Sequence, residues 1–408
     1  MATLERELGL FGATVYGVGL ILGAGIYAIL GAAAGVAGES VVLSFVLAAV
    51  IASLTGLSYA ELASLYPRGE GDYIYVRAAF GSKRLSELTA LLRILVGVVS
   101  AAAVALAFAG YLSAFLPGLP TVAVAVGLVV VTAGVNYWGI QTSARLNVLF
   151  TAIEVVGLLV IVAVGAGAWG TVDPLDAPSG GVGTVQAAFL VFFAYVGFGS
   201  LVNIAEETTD ATRRIPQAIL LAVGTTTVLY VAVALSAVAV VDWQTLGASA
   251  SPLAVVAERG WGSAAGGLLA VIALFSTTNT VLILQVSTSR MLYGVSKAEH
   301  RSFPTTFSRV HPKRHTPHYA VFLVGVVTVA FSLLGDIGTV AGLANLVLLV
   351  VFVLVNGALL ALRYREPDRE RGFRAPGNVG RLSLTAVGGL VTSLGFIGFY
   401  AARMGGLL

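Results

Sequence analysis

The sequence predicts an all-α integral membrane protein of eleven transmembrane helices, arranged as two inverted repeats of five helices and one additional C-terminal helix. Three observations predict this architecture. Of the 408 residues, 58% are hydrophobic and only 11% are charged, which is typical of a chain solvated mainly by lipid. The basic residues are concentrated on alternate loops. Two hydrophobic helices, five spans apart, also carry glycine pairs at corresponding places.

Eleven apolar stretches are long enough to cross a hydrocarbon core of about 30 Å. The ninth stretch is short, and the residues 335–338, Gly-Asp-Ile-Gly, predict a tight turn into the tenth. In chain order, the predicted spans are residues 10–36, 41–65, 88–116, 121–138, 146–169, 185–205, 219–241, 264–293, 319–334, 340–362 and 384–402.

The basic residues predict the orientation of the chain in the membrane. With the N-terminus in the cytoplasm, 21 of the 23 Lys and Arg residues lie on the cytoplasmic side, and only Arg259 and Arg403 lie outside. Cytoplasmic loops of membrane proteins retain positive charge. The sequence therefore predicts a multi-pass plasma-membrane protein with a cytoplasmic N-terminus and an extracellular C-terminus. The basic cytoplasmic loops explain the net charge of +3, so this charge does not indicate a nucleic-acid partner.

Spans 1–5 and spans 6–10 have opposite orientations because five is odd, and each set opens with a glycine-interrupted helix. This order is typical of an inverted repeat. We expect residues 1–169 to form the first repeat and residues 185–362 the second. Residues 363–408 then comprise a basic cytoplasmic loop and span 11.

The two interrupted helices form the candidate substrate site. Unwound backbone at membrane depth persists only where it lines a cavity or holds a ligand. Around Gly23-Ala24-Gly25, amides at a half-helix N-terminus favour a carboxylate. In span 6 we expect a break after Tyr195 that frees the carbonyls of Phe192, Phe193 and Tyr195 to accept from an ammonium group. Together the two half-helix ends suit a zwitterion.

Glycine has two interpretations at these positions. Gly197 and Gly199 allow backbone angles that a side chain would forbid. Alternatively, the glycines only let helices approach closely, and Gly19 with Gly23 fits that small-residue spacing. The matched pair of interruptions favours the binding interpretation.

Several motifs resemble those of one known family and span nearly the whole chain. They are Gly17-Val18-Gly19 through Gly23-Ala24-Gly25-Ile26-Tyr27, the loop 66–75, residues 192–198 followed by Ala205-Glu206-Glu207, Arg290 with Tyr293, His311-Pro312 with Thr316-Pro317, and residues 373–377. In this order they resemble the amino acid-polyamine-organocation (APC) permeases. The resemblance implies the LeuT-type inverted-repeat fold and amino acid transport by alternating access, with no enzymatic activity. It implies a small amino acid as substrate and the lipid bilayer as surroundings, and it calls for no cofactor and no obligate protein partner.

Side chains that face the interruptions are expected to set the substrate specificity. No charged residue is an obvious pocket partner, and an unpaired substrate charge is costly in a dry pocket. This favours a neutral, aliphatic or small amino acid. The candidate side chains are Ile26, Phe108, Tyr111, Tyr195 and Phe198, each of which has core packing as its alternative role.

Glu154 is the candidate for ion coupling and departs from the family pattern, in which many proton-driven relatives carry a lysine. It lies roughly 12 Å inside span 5, where a carboxylate needs a cavity or a partner. Desolvation favours its neutral form, so it is a candidate proton carrier, with H⁺ as the coupling ion. Alternatively, ionised Glu154 joins the hydroxyls of Thr277, Thr278 or Thr280 to hold Na⁺. Uncoupled exchange and a purely structural glutamate remain open.

Other buried acids are assigned to the gate at the cytoplasmic side. Glu61 ends span 2 and Glu206 ends span 6, both within reach of basic loops. We expect them to pair with residues such as Arg68, Arg77 or Arg290. Such pairs would lock the inward gate.

The remaining residues exclude or disfavour other classes of function. The absence of cysteine excludes thiolate metal sites and cysteine nucleophiles, and all four histidines fall in one basic loop, for which we predict no metal site. No motif of a soluble enzyme is present. A channel and a partner-dependent sensor subunit are the rival classes, but two broken helices in a repeat fit alternating access better than a static filter.

Overall fold

The computed structural model describes residues 8–23, 25–68, 71–138, 144–297, 303–314 and 316–404, without the side chains at 144–148, 203, 206, 207 and 404. The described chain is mostly helical. Its α-helices are α1 Leu10–Leu22, α2 Gly25–Ala37, α3 Val41–Leu65, α4 Gly71–Phe80, α5 Lys83–Leu112, α6 Thr121–Trp138, α7 Ala144–Gly165, α8 Gly180–Val191, α9 Ala211–Val240, α10 Trp243–Ala248, α11 Pro252–Trp261, α12 Ser263–Lys297, α13 His318–Ser332, α14 Ile337–Arg365 and α15 Leu384–Met404.

Four 3₁₀ helices and one hairpin are the other regular elements of the described chain. The 3₁₀ helices are Gly38–Ser40, Ala166–Thr171, Phe192–Glu207 and Thr305–Ser308. The strands β1 Asn378–Val379 and β2 Leu382–Ser383 pair antiparallel. This hairpin lies between α14 and α15.

The chain is a multi-pass membrane protein. Among the described residues, nine helical stretches are long and apolar enough to cross a bilayer. One of them, Gly25–Leu65, contains both α2 and α3, and Leu10–Leu22 and His318–Ser332 are shorter apolar helices. All eleven predicted stretches are helical over most of their length, but the number that cross the membrane stays a prediction.

The predicted interruption of span 1 is present in the structure. Helix α1 ends at Leu22, and α2 begins at Gly25. The Gly23 N–H still donates to the Gly19 carbonyl at 3.2 Å, which closes the last turn of α1. Ala24 lies outside the described residues.

The predicted break after Tyr195 in span 6 is wrong. Helix α8 ends at Val191, and the chain continues as the 3₁₀ helix Phe192–Glu207 through both glycines. In a 3₁₀ helix each carbonyl bonds to the N–H three residues ahead. The carbonyls of Phe192 and Phe193, which we expected to be free, therefore have partners within the segment.

Close packing explains why glycine stands at position 197. A Cβ on Gly197 would lie 2.0 Å from the Leu20 carbonyl oxygen and 2.8 Å from the Ile21 amide nitrogen. The segment therefore presents bare backbone directly to α1. A side chain at this position would clash with the backbone of α1, so the contact between spans 1 and 6 requires glycine.

The helix packing follows a regular pattern when the elements are numbered as spans. Spans 1 to 11 correspond to α1 with α2, then α3, α5, α6, α7, α8 with Phe192–Glu207, α9, α12, α13, α14 and α15. Span 1 packs against span 6, span 2 against span 7 and span 3 against span 8. The contact of span 3 with span 10 recurs as the contact of span 8 with span 5. Likewise, the contact of span 1 with span 5 recurs as that of span 6 with span 10, and the contact of span 3 with span 4 recurs as that of span 8 with span 9. A repeat of five spans requires this matching.

The short helices between spans obey the same pattern. Helix α4 follows span 2, and α10 and α11 follow span 7, five spans later. Span 11 has no counterpart and packs on α14 and α3. It also meets α8, where the Tyr400 ring stacks on the Phe189 ring with centroids 4.7 Å apart.

Candidate functional site

The break in span 1 brings two helix ends of opposite polarity together. The last carbonyls of α1 and the first amides of α2 have no partner within their own helices. The C-terminal end of a helix carries partial negative charge, and the N-terminal end carries partial positive charge. Leu22 and Gly25 bound this break, so both charges meet at one point of the chain.

Tyr230 on α9 contacts the carbonyl end of this break. Its hydroxyl lies 2.7 Å from the Ile21 carbonyl oxygen, 3.2 Å from that of Leu22 and 3.2 Å from that of Ala194. Ala194 belongs to the 3₁₀ helix of span 6. The Tyr230 hydroxyl therefore joins spans 1, 6 and 7 at a single point, and the side chain is fully buried.

The three carbonyls around Tyr230, which we call the carbonyl cluster, are Ile21, Leu22 and Ala194. A phenol has one O–H donor and can serve one of these acceptors at a time. A primary ammonium group has three N–H donors. The carbonyl cluster therefore matches an ammonium group better than it matches the hydroxyl that now lies within it.

Glu154 lies beside the same break and is buried, with 3% of its surface exposed. The Tyr27 hydroxyl, on α2, donates to the backbone carbonyl of Glu154 at 3.3 Å. One turn earlier, Thr151 meets Gly19 of α1, where a Cβ would lie 2.2 Å from the Thr151 hydroxyl oxygen. The residues of α7 around Glu154 therefore bridge α1 and α2 across the break.

The buried Ser276 hydroxyl on α12 lies near the Glu154 carboxyl, but it makes no hydrogen bond within 3.5 Å among the described residues. Thr277 was a predicted sodium ligand, but its hydroxyl donates to the Ala273 carbonyl of its own helix at 2.7 Å. The Thr280 hydroxyl donates to the Ser276 carbonyl at 2.9 Å, and its oxygen lies 3.1 Å from a Cβ built on Gly23. Thr280 is thus at the break, while Thr278 is only half-buried.

Close helix approach is realised at several of the glycines. A Cβ on Gly25 would lie 2.7 Å from the Ala194 Cα, and one on Gly17 would lie 2.1 Å from the Leu201 side chain. At Gly199 the nearest atoms are 3.4 Å away, in Arg93 and Tyr59. The packing interpretation of the glycines therefore holds for Gly17 and Gly25, alongside the break itself.

Two predicted substrate contacts belong to an aromatic cluster on the other side of span 6. The ring of Phe198 lies 5.6 Å from that of Tyr59 and 5.4 Å from that of Phe352. The ring of Phe192 lies 5.8 Å from that of Phe352 and 6.4 Å from that of Phe396. These rings face spans 2, 10 and 11, so core packing accounts for Phe192 and Phe198.

The other side chains predicted to contact the substrate are mostly buried near the break. Tyr195 is buried, with its ring 5.3 Å from that of Tyr230. The Tyr111 hydroxyl donates to the Tyr27 carbonyl at 3.2 Å. Ile26 is fully buried within the first turn of α2. Phe193 is 5% exposed and Phe108 is half-buried.

The predicted gate partners of Glu61 are wrong. Glu61 is fully buried and binds Arg363 of α14 through both carboxylate oxygens, with Arg363 Nε 2.9 Å from Oε1. Arg371 Nε lies 3.1 Å from the same Oε1, and the Ala375 N–H donates to Oε2 at 2.8 Å. Glu61 therefore anchors the loop after span 10 to span 2. The partners of Glu61 are therefore two arginines more than 300 positions away in the chain. The predicted partners, Arg68, Arg77 and Arg290, are different residues.

The other predicted gate residues do not meet Glu61. Arg68 and Arg290 are exposed. Arg77, on α4, donates to the carbonyl of Gly81, directly after the end of that helix, at 3.3 Å. The side chain of Glu206 lies outside what the structure describes.

A buried ion pair that we did not predict joins α4, α5 and span 6. Arg93 Nε of α5 lies 2.9 Å from Oδ2 of Asp72 on α4, with 9% and 4% of these side chains exposed. Arg93 Nη2 also donates to the Ser200 hydroxyl of span 6 at 3.1 Å. Burial raises the pKa of the Asp72 carboxyl, and the charge of Arg93 opposes that shift. The Asp72–Arg93–Ser200 bridge therefore fixes span 6 to span 3 and α4.

Sequence reasoning missed the contacts of Tyr230, Arg93 and Arg363. Arg93 and Arg363 were counted as basic residues of the cytoplasmic side. A hydroxyl or guanidinium inside a membrane helix is costly without a partner, and that cost was the signal that could have marked them. The order of residues along the chain does not specify the register between helices, so the partners themselves were not predictable.

Comparison with known proteins gives a consistent family assignment. A family model described as amino acid permease matches residues 8–403. The branched-chain amino acid permease BcaP of Bacillus subtilis (strain 168) is 30% identical over 403 residues, covering 92% of this chain and 84% of the relative. The methylthioribose transporter of the same organism is 29% identical, covering 92% and 85%. The cationic amino acid transporter 4 of Homo sapiens is 28% identical, covering 89% and 61%. The family and these relatives are transporters, not enzymes.

Proposed function

The chain belongs to the amino acid permease family, and from that premise we propose that it is a secondary active transporter of neutral amino acids. It works by alternating access across the plasma membrane and is driven by a proton gradient. The observation that carries the proposal is the break in span 1. The carbonyl cluster receives the ammonium group of the substrate, and the first amides of α2 receive its carboxylate.

The carbonyl cluster differs from the site that the sequence suggested. Ala194 replaces the carbonyls of Phe192, Phe193 and Tyr195 as the contribution of span 6, because its carbonyl oxygen lies 3.2 Å from the Tyr230 hydroxyl and its Cα packs against Gly25. In the conformation described, the Tyr230 hydroxyl occupies the place of the ammonium group. A bound substrate displaces it and supplies the two donors that the phenol lacks.

The LeuT-type arrangement of five plus five inverted spans is part of the proposal. It is supported by the matched packing of spans 1–5 and 6–10 and by the corresponding positions of α4 and of α10 with α11. In this arrangement the Asp72–Arg93–Ser200 bridge closes the cytoplasmic side. Opening of that side moves span 6 away from Arg93. The N-terminus is cytoplasmic and the C-terminus extracellular.

Neutral, aliphatic substrates are favoured by the residues at the break. Ile26, Leu20 and Ala194 contribute apolar side chains or bare backbone there. The name of BcaP, a branched-chain amino acid permease, agrees with this class. The cationic amino acid transporters among the relatives indicate the alternative, in which Glu154 pairs with a basic substrate.

Glu154 is the proposed proton carrier. Its carboxyl is buried between α7, α12 and the break. The Thr277 hydroxyl donates its proton within its own helix, and its oxygen keeps the lone pairs that would bind sodium in the alternative mechanism. A neutral carboxyl needs fewer ligands than an ionised one with sodium. Sodium-coupled symport and uncoupled exchange are the alternatives.

Counterflow in proteoliposomes tests the transport proposal. We expect labelled leucine to enter vesicles preloaded with unlabelled leucine, isoleucine or valine, and to accumulate transiently above its outside concentration. Lysine and glutamate are expected not to exchange, because their side-chain charges lack a partner in the dry site. Exchange restricted to charged amino acids would contradict the substrate class. Dissipation without exchange would indicate a channel.

Replacing Tyr230 with phenylalanine tests the carbonyl cluster. The substrate ammonium no longer has to displace a hydrogen-bonded hydroxyl, so we expect the KM for leucine counterflow to fall about two- to tenfold, as a net hydrogen bond of about 0.5–1.5 kcal/mol implies. Tyr195→Phe is the matched control, since the Tyr195 hydroxyl lies outside the carbonyl cluster and has a long contact of 3.5 Å to the Phe45 carbonyl. A KM that is unchanged or higher in Tyr230→Phe alone would exclude displacement.

A further inference from the structure

A pocket lies at the end of the helix bundle, away from the break. It has a volume of about 580 Å³ and is lined by the end of α3, the loop that follows it, one face of α4 and the loop after α14. Helices α3 and α14 end at Leu65 and Arg365, so the pocket sits where spans 2 and 10 leave the membrane. By the distribution of Lys and Arg, this is the predicted cytoplasmic side.

Three guanidinium groups line this pocket, and no acidic residue lines it among the described residues. They belong to Arg68, Arg77 and Arg369. Arg369 is paired with Glu366 at 2.7 Å, so one carboxylate at the rim offsets part of the charge. Arg68 is exposed and has no ion-pair partner in the described part of the chain. The described residues of the pocket therefore carry an excess of positive charge.

Arg369 is held in place before any ligand binds. Its guanidinium carbon lies 4.2 Å from the centroid of the Tyr66 ring, and Nη2 donates to the Leu65 carbonyl at 3.1 Å. Arg77 is half-buried and donates to the Gly81 carbonyl. Two of the three arginines thus need little reordering on binding, which lowers the entropic cost.

The rest of the lining is apolar. Leu65, Ile74 and Ala78 contribute to the pocket walls. Ile74 and Ala78 share one face of α4 with Arg77, whereas Tyr75 and Val76 are buried on the other face. The pocket therefore combines positive charge with apolar surface at the membrane boundary.

We propose that this pocket binds the headgroup of an anionic phospholipid of the cytoplasmic leaflet. The phosphate lies among Arg68, Arg77 and Arg369, which present planar donor pairs suited to phosphate oxygens. The adjoining glycerol and the first acyl carbons lie against Leu65 and Ile74. A soluble phosphate compound would leave this apolar wall exposed to water, so the lipid is the better match.

Lipid at this pocket also acts on the Asp72–Arg93–Ser200 bridge through α4. Asp72, which binds Arg93, lies on the buried face of α4, opposite the pocket-lining residues. A headgroup that holds α4 against spans 2 and 10 therefore stabilises the Asp72–Arg93–Ser200 bridge. Anionic lipid favours the cytoplasm-closed conformation.

The test measures lipid binding by the purified full-length protein. Thermal stability in detergent is followed during titration with dioleoyl phosphatidylglycerol, with dioleoyl phosphatidylcholine and with glycerol phosphate. We expect stabilisation by phosphatidylglycerol at concentrations at least tenfold below those needed for phosphatidylcholine, and none by glycerol phosphate. Equal stabilisation by the two lipids would overturn the proposal. Stabilisation by glycerol phosphate would assign the pocket to a free phosphate compound instead.

Substitutions test whether the lipid binds at this pocket. Basic residues at an anionic surface contribute about fivefold each to lipid affinity, so Arg68→Gln with Arg77→Gln is expected to weaken phosphatidylglycerol binding about 25-fold. The control, Arg309→Gln with Lys313→Gln, removes the same charge from exposed positions of the loop before α13. Arg68→Glu, at an exposed site, provides a variant that folds if the double variant does not. Unchanged binding in Arg68→Glu, or equal loss in the control, would refute the site.

Discussion

Glu154→Gln is expected to abolish accumulation of leucine driven by a pH gradient while leaving counterflow within about threefold of the unaltered protein. Glutamine keeps the shape of the side chain but cannot take up or release a proton. A gradient of two pH units supports about 100-fold accumulation when one proton moves with each substrate, because each unit is worth 1.36 kcal/mol. We expect that ratio to fall to about one in the variant. The measurement is labelled leucine uptake into proteoliposomes under an imposed gradient.

The control for this experiment is Glu258→Gln, which alters an exposed glutamate of α11. It is expected to accumulate leucine like the unaltered protein. If Glu154→Gln still accumulates substrate under the pH gradient, Glu154 has no part in coupling. If a sodium gradient, and not a pH gradient, drives the unaltered protein, the sodium alternative is correct.

Glu61→Gln is expected to cause a large loss of stability. The change leaves Arg363 and Arg371, both almost fully buried, without their counter-charge. Removing one partner of a buried ion pair costs about 3–5 kcal/mol, because the remaining charge is left unpaired in a medium of low dielectric constant. We expect a large fall in the melting temperature of the purified protein, with loss of the contact between span 2 and the loop after span 10.

Two comparisons separate this cause from a general sensitivity to substitution. Glu61→Asp keeps the charge and is expected to recover part of the lost stability. Lys83→Gln breaks the pair of Lys83 with Glu87, in which Lys83 is 38% exposed, and is expected to cost at most about 1 kcal/mol. Melting of Glu61→Gln at the temperature of the unaltered protein would mean that the arginines find other partners.

The sequence was most informative about the positions of the helices. The predicted fourth span, 121–138, coincides with α6, and the predicted turn at 335–338 falls where Asp336 caps α14 by accepting from the Thr339 amide at 2.6 Å. The break at Gly23 was also predicted, because glycine in an apolar helix is a strong local signal. The short helices α4, α10 and α11 were missed, since they are too short to stand out by hydropathy.

The proposed site was only partly predictable. Glu154 was singled out because a carboxylate inside a span is costly wherever it points. The carbonyl of span 6 that lies beside Tyr230 belongs to Ala194, which the sequence had not singled out. The partner on span 7, Tyr230, was not predicted, because a single tyrosine in an apolar helix has core packing as its ordinary role. Which face of α9 it occupies depends on neighbours distant in sequence.

Residues read in chain order were enough to establish a multi-pass membrane protein of the amino acid permease family, with a break in its first helix and a carboxylate in its fifth. These properties depend on composition, local backbone preference and motifs, all of which are written along the chain. Helix packing was needed to establish that Tyr230 meets the carbonyl cluster, that Glu61 binds Arg363, and that Phe198 packs in the core. Those contacts join residues from 36 to more than 300 positions apart, and the rotation and register of packed helices, which no local pattern specifies, bring them together.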